Sequence, residues 1–173
     1  CVEPRREGHE YRIDHQGDRL LIVTNDGAEN FRLVSAPLDD PRSENWSEIV
    51  AHRPNTRIED ADAYETFFVV TERTRAQTSL VVHDLALDQT YTIEMDEDVY
   101  EVGPGSNAEY DARRFRFGYT SMVTPQSTFE LDLDTRERTL LKQQPVLGDF
   151  EQADYATKRI WAIADDGSEI PIS

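Results

Sequence analysis

Ser121, four histidines and two acidic runs are the side chains of this chain whose chemistry could do work. Ser121 closes Gly118-Tyr119-Thr120-Ser121, but a nucleophile elbow needs Gly-x-Ser-x-Gly, and that pentapeptide occurs nowhere in the 173 residues. Ser121 therefore reads as a turn serine that bonds its own backbone. His9, His15, His52 and His83 share no metal-type spacing such as His-Glu-x-x-His. His83 falls on an alternating apolar face, where a hydrogen-bonded core histidine is expected. Asp60/Asp62 and Asp96-Glu97-Asp98 lack the glycine-containing twelve-residue register of a calcium loop, and read as solvated turns. Gly103-Pro104-Gly105 is a turn without the remainder of a phosphate-binding loop. Asn45-Trp46-Ser47 fits a glycosylation acceptor, a triplet common by chance. These residues support no catalytic, cofactor-binding or metal site, and no cofactor is assigned.

The elements around them carry more information. Arg114 to Leu133 holds two strand-like runs, Phe115–Tyr119 and Thr128–Leu133, around a turn-rich middle. Phe129, Leu131 and Leu133 alternate with Glu130 and Asp132, the period of a strand with one wet face. Leu20–Thr24 with Phe31–Leu38, and Phe67–Thr71 with Thr78–Leu85, repeat the pattern upstream. Leu38, Leu85 and Leu133 recur at intervals of 47 and 48 residues. Val34/Ala36/Leu38, Val81/His83/Leu85 and Phe129/Leu131/Leu133 form the matching faces. A hairpin recurring at about 40–50 residues is the mark of a β-propeller blade, and one such hairpin cannot bury its apolar face alone.

The expected fold is therefore all-β. It comprises about three four-stranded antiparallel blades, near 10–52, 56–96 and 98–145, within a propeller segment 1–147. Outer strands are expected at Trp46–Val50, Tyr91–Met95 and Leu140–Gln143. Trp46, Ile49 and Val50 also fit one helical turn, but the repeat asks for a strand there. Turns are expected at Asn25-Asp26-Gly27 and Arg73–Gln77. Gly148–Thr157 reads as a connector. Arg159–Ala164 and Ser168–Ile172 flank Asp165-Asp166-Gly167, a strong hairpin signal that breaks the blade repeat.

Composition bounds the partners. The chain is 38% hydrophobic and 31% charged, with 35 acids against 18 bases and a net charge of −17. No basic stripe exists to neutralise phosphates, which argues against nucleic acid. No run of about 18 apolar residues exists to cross a membrane. The acidic field keeps the chain soluble and would attract cationic ligands. Cys1 is the only cysteine, which suits a reducing compartment, and a cytoplasmic location is expected. The chain opens without Met and stops just as a new hairpin begins, so a fragment of a larger protein is expected. Its cut blade faces are expected to be apolar and to drive self-association.

Several blocks together resemble one family. They are Tyr119-Thr120-Ser121 with Thr124-Pro125, Thr139–Gln144 with Val146-Leu147-Gly148 and Phe150, Tyr155 to Trp161, and Asp165-Asp166-Gly167 with Pro171-Ile172-Ser173. Upstream, Ile22 to Pro41 is similar as well. The chain resembles the prolyl oligopeptidase family of serine peptidases, in its oligopeptidase B (protease II) branch. The resemblance implies a seven-bladed propeller over an α/β-hydrolase domain with a Ser-His-Asp triad. Residues 148–173 would then be the linker and first hairpin of that catalytic domain, starting near Tyr155. The triad would lie beyond Ser173, so no catalytic residue is carried onto this chain. The implied partners are the protein's own catalytic domain and basic peptides, cleaved after Arg or Lys. The competing reading is a WD40- or kelch-like interaction platform with no peptidase activity. The terminal hairpin distinguishes them, because a platform would continue with another blade or stop.

Overall fold

Alternating apolar residues fold each repeat into a central strand pair, and one further strand joins on either side. The computed structural model describes residues 1–173. Strands β1 (Tyr11–Gln16), β2 (Arg19–Thr24), β3 (Arg32–Pro37) and β4 (Ser47–Val50) form the first antiparallel sheet in chain order. β5 (Thr56–Ala63), β6 (Phe67–Thr74), β7 (Gln77–Asp84) and β8 (Gln89–Thr92) form the second. β9 (Glu101–Pro104), β10 (Arg114–Thr120), β11 (Ser127–Asp132) and β12 (Arg138–Gln143) form the third. A separate hairpin pairs β13 (Ile160–Ile163) with β14 (Glu169–Ile172). Consecutive four-stranded meanders are propeller blades, and the all-β expectation holds. No helix is long and apolar enough to cross a membrane.

The spacing read from the leucines is a backbone equivalence. The N–H groups of Leu38, Leu85 and Leu133 donate to the carbonyls of Asp18, Thr66 and Arg113, each just before or at the start of a second strand, at 2.9, 2.9 and 3.1 Å. Their side chains differ. Leu38 and Leu85 are about half exposed, whereas Leu133 joins a buried cluster with Tyr64 and Phe67. Two local expectations change. Phe31 is buried but lies outside β3, in left-handed conformation (φ 63°) at the end of the preceding turn. The second blade's turn shrinks to Arg75-Ala76, both at positive φ (49° and 61°), because β6 and β7 pair out to Thr74 and Gln77.

The core lies between blades. Leu21, Val23 and Leu33 meet Ile58, Phe68 and Val70 between the first and second. Phe67, Val69, Leu80 and Val82 meet Phe115, Phe117, Tyr119 and Leu131 between the second and third. Rings stack within this second interface, with Phe117 on Phe129 at 5.6 Å and Tyr64 on Phe67 at 4.4 Å. An ion pair with a buried carboxylate ties the same blades, the Arg113 guanidinium donating to Asp84 Oδ2 at 2.8 Å. Contacts between β1 and β5, such as the Ala63 N–H donating to Asp14 Oδ2 (2.6 Å), join the first strands of the first two blades.

The two outermost blade faces are not the open apolar surfaces expected. On the first blade Leu20, Ile22, Val34 and Ala36 are buried in a cluster with Val2, Tyr11 and Trp46. On the third, Arg114, Arg116, Gly118 and Thr120 alternate with the buried ring residues, facing Asp132, Glu130 and Thr128. Arg116 Nε donates to Glu130 Oε2 at 2.8 Å across that face. Exposed apolar side chains lie instead on the last strand of the third blade and beyond it, at Leu140, Leu141 and Leu147, and on the hairpin, where Ile160 and Ile163 are 58% and 67% exposed.

Phe117 is fully buried between blades, so Phe117→Ala should lower unfolding free energy by about 3–5 kcal/mol. Leu140→Ala, at a half-exposed site on the outermost strand, should cost under about 1 kcal/mol. Urea midpoints of the two variants check the ranking.

Candidate functional site

Meander topology puts two kinds of connection at one end of every blade: the turn between its second and third strands, and the link to the next blade. At that end lie the Arg75-Ala76 turn, the connector from β8 to β9, the 121–126 turn and the chain leaving β12. The hairpin docks at the same end. Arg75 Nη1 donates to Glu169 Oε2 at 2.8 Å, and its guanidinium lies 4.0 Å from the centroid of the Trp161 ring.

The acidic run Asp96-Glu97-Asp98 sits in this rim. It is not simply a solvated turn. Glu97 is half-buried, and its Oε1 accepts hydrogen bonds from the Tyr119 hydroxyl (2.9 Å) and the Thr124 hydroxyl. Gln152 Nε2 donates to that threonine oxygen at 2.7 Å, which ties the chain after β12 to the rim. Glu97 Oε2 is buried without a partner. Burial, then the bond to Glu97, raises the Tyr119 hydroxyl above its ordinary value and keeps it a proton donor. Asp96 is paired with Arg138 at 2.9 Å, while Asp98 is exposed. A pocket of about 420 Å³ opens here, lined by Asp98, Val123, Gln152 and Tyr155 among others.

A second acidic surface spans the first strands of the first and second blades. Asp60 and Asp62 lie on β5, not in a turn, and Asp14 lies on β1 beside them. The alternation of β5 buries Ile58, Ala61 and Ala63 against the first blade and turns the carboxylates to its other face. Asp14 is satisfied by the Ala63 N–H of the next blade and by the His15 N–H (2.8 Å). Asp62 Oδ2 is buried and has no partner. Burial first, then the charges of Asp60 and Asp14, push its carboxyl up to about 6.

The residues first considered for chemistry settle into structural roles. Ser121 Oγ accepts the Val123 and Thr124 N–H groups at 3.0 and 2.7 Å, the turn geometry expected. His83 stacks on Phe68 at 4.4 Å with Thr90 Oγ1 3.2 Å from its Nδ1. Burial, with Arg53 nearby, lowers its pKa and favours the neutral ring. His9 lies 3.0 Å from Thr24 Oγ1, and His15 is exposed. No three His, Cys, Asp or Glu side chains converge with metal-binding geometry. The residues that sequence reasoning missed are Arg75, Trp161 and Glu97. Only Glu97 carried a signal, as the middle of an acidic run followed by buried Val99.

The family profile of the prolyl oligopeptidase N-terminal β-propeller domain matches residues 1–144. This chain belongs to that family. Dipeptidyl aminopeptidase BI of Pseudoxanthomonas mexicana is 42% identical over 174 residues, covering 99% of this chain and 24% of that protein. Protease 2 of Moraxella lacunata is 32% identical, with the same coverages. Oligopeptidase B from Leishmania major superposes with a TM-score of 0.87 at 29% identity, over 98% of this chain and 25% of that one. The closed form of oligopeptidase B from Trypanosoma brucei, with covalently bound antipain, gives 0.89 at 28% identity and the same coverages. The chain thus spans about a quarter of the length of these relatives.

The raised Asp62 value gives a pH signature. Between about pH 4 and 6 the folded chain keeps a proton that the unfolded chain, with its ordinary value of 3.8, has released. Native stability from this group therefore falls as pH rises through that window. Asp62→Asn should abolish that share of the fall and leave the variant the more stable protein at pH 7. Urea midpoints of both proteins from pH 4 to 7 measure it; parallel curves would refute it.

Proposed function

We propose that residues 1–147 are the closing part of a propeller that caps a serine-peptidase domain, and that residues 148–173 are the linker and first hairpin of that domain. The complete protein hydrolyses short peptides after Arg or Lys. The observation that carries this reading is the hairpin: a propeller-family sheet array gives way to a non-blade element, docked on the blade end that bears an acidic rim. The family and the oligopeptidase B structures support the pairing of propeller with peptidase.

The propeller's part is physical. A ring of blades over a catalytic cavity limits access to chains narrow enough to enter and excludes bulk water from the reacting centre. Acidic walls at Asp14, Asp60 and Asp62, and the rim at Asp96, Glu97 and Asp98, raise the local concentration of cationic peptides. The nucleophile belongs to the catalytic domain, where a serine ester forms and water resolves it. On this reading the 173 residues alone hydrolyse nothing.

One observation favours a second reading. The relative at 42% identity is named a dipeptidyl aminopeptidase. A protein that removes dipeptides must recognise a free α-ammonium group, and the same carboxylates suit that cation.

Arg-containing fluorogenic peptides, blocked or free at the N-terminus, separate the readings. The full-length protein should cleave blocked substrates after Arg or Lys and react with a fluorophosphonate, while residues 1–173 should do neither. Cleavage restricted to free N-termini would select dipeptide release. Full-length protein inert to substrate and probe would overturn both. Within the peptidase reading, Asp14→Asn, Asp60→Asn and Asp62→Asn together should lower kcat/KM for Arg substrates about three- to tenfold and flatten its salt dependence. Unchanged values of both would remove these carboxylates from specificity.

A further inference from the structure

The hairpin meets the second blade at one place, and that place is strained. A two-residue turn with both residues at positive φ favours Asn-Gly, because a side chain in the left-handed region costs energy. Here the positions are Arg75 and Ala76, at φ 49° and 61°. The chain keeps two unsuited residues at a surface turn. Strain of that kind persists where the surroundings use it.

The use is visible in what Arg75 touches. Its guanidinium lies over the Trp161 ring at 4.0 Å and donates to Glu169 Oε2 at 2.8 Å, so it meets both strands of the hairpin. Its carbonyl oxygen accepts from Arg159 Nη1 at 3.3 Å, at the point where the connector enters β13. The left-handed turn thus presents side chain and carbonyl toward one element. Asn-Gly would relieve the backbone and forfeit the guanidinium.

We infer that Arg75 is a positioning residue, a clasp that seats the β13–β14 hairpin on the second blade, and that the strained turn is retained for this contact. The clasp fixes the hairpin's open isoleucine face relative to the acidic rim, and whatever covers that face is held there too. The inference rests on the turn and its contacts, not on the peptidase reading, and its test involves no catalysis.

Hydrogen exchange on the full-length protein tests it through effects of opposite sign. In Arg75→Asn/Ala76→Gly the turn becomes ideal while the clasp is lost. Amides of Trp161–Ile163 and Ile170 and Ile172 should exchange about tenfold faster, while Val69–Thr71 of β6 exchange no faster than before. Trp161→Leu, which removes only the ring, should accelerate the same hairpin amides. Glu169→Gln should have a smaller effect of about two- to threefold, since both partners are about half exposed. Unchanged hairpin exchange in the turn variant overturns the inference. Acceleration shared equally by β6 and the hairpin overturns it as well, because that marks loss of the blade and not release of a clasp.

Discussion

A four-stranded sheet with apolar side chains on both faces must lie between two other surfaces, and the rest of this structure follows from that requirement. The second blade shows it most fully. Phe68 and Val70 point to the first blade, while Phe67, Val69, Leu80 and Val82 point to the third. Successive residues of one strand therefore serve different interfaces, which is why Phe67 to Val70 reads as an unbroken apolar run. The two interfaces differ in kind. The first is built largely of aliphatic and small residues, the second of stacked rings reinforced by the Arg113–Asp84 pair.

Wedge-shaped packing also decides where polar residues go. The first strands of neighbouring blades approach one another, so β5 presents Ala61 and Ala63 to the first blade and carries Asp60 and Asp62 on its opposite face. Asp14 bridges the blades there by accepting a backbone N–H from β5. The carboxylates on these strands thus have an architectural partner at one site and an unmet one at the next. That contrast separates satisfied Asp14 from Asp62, whose acidity burial has weakened.

Strand alternation made the blades legible from residues alone, and the same-face sets beginning at Val81 and Phe129 do look toward the preceding blade, while Val34 and Ala36 pack under Val2, Tyr11 and Trp46. The hairpin at Asp165-Asp166-Gly167 was equally plain, because Gly167 takes the positive φ that its turn requires. What alternation cannot convey is contact between elements far apart in the chain. Arg75 and Glu169 are separated by 94 residues, and no periodic pattern links them. Likewise the Asp96-Glu97-Asp98 run looked uniformly solvated. Its middle residue turns inward only because Tyr119 and Thr124 of another turn supply donors. The third blade's wet face was written in Arg114, Arg116 and Glu130. The alternation of Glu130 and Asp132 with Phe129, Leu131 and Leu133 marks that face, but not that Arg114 and Arg116 of the neighbouring strand pair with Glu130 across it.

That wet face gives the row of wedges a direction. Endless head-to-tail assembly requires a sticky front and a sticky back that fit one another. Here the leading surface is already occupied by Val2, Tyr11 and Trp46, and the trailing one is held in internal ion pairs. A contact that set one against the other would place apolar side chains beside charged ones, so the two end surfaces of the row call for neighbours of different chemistry.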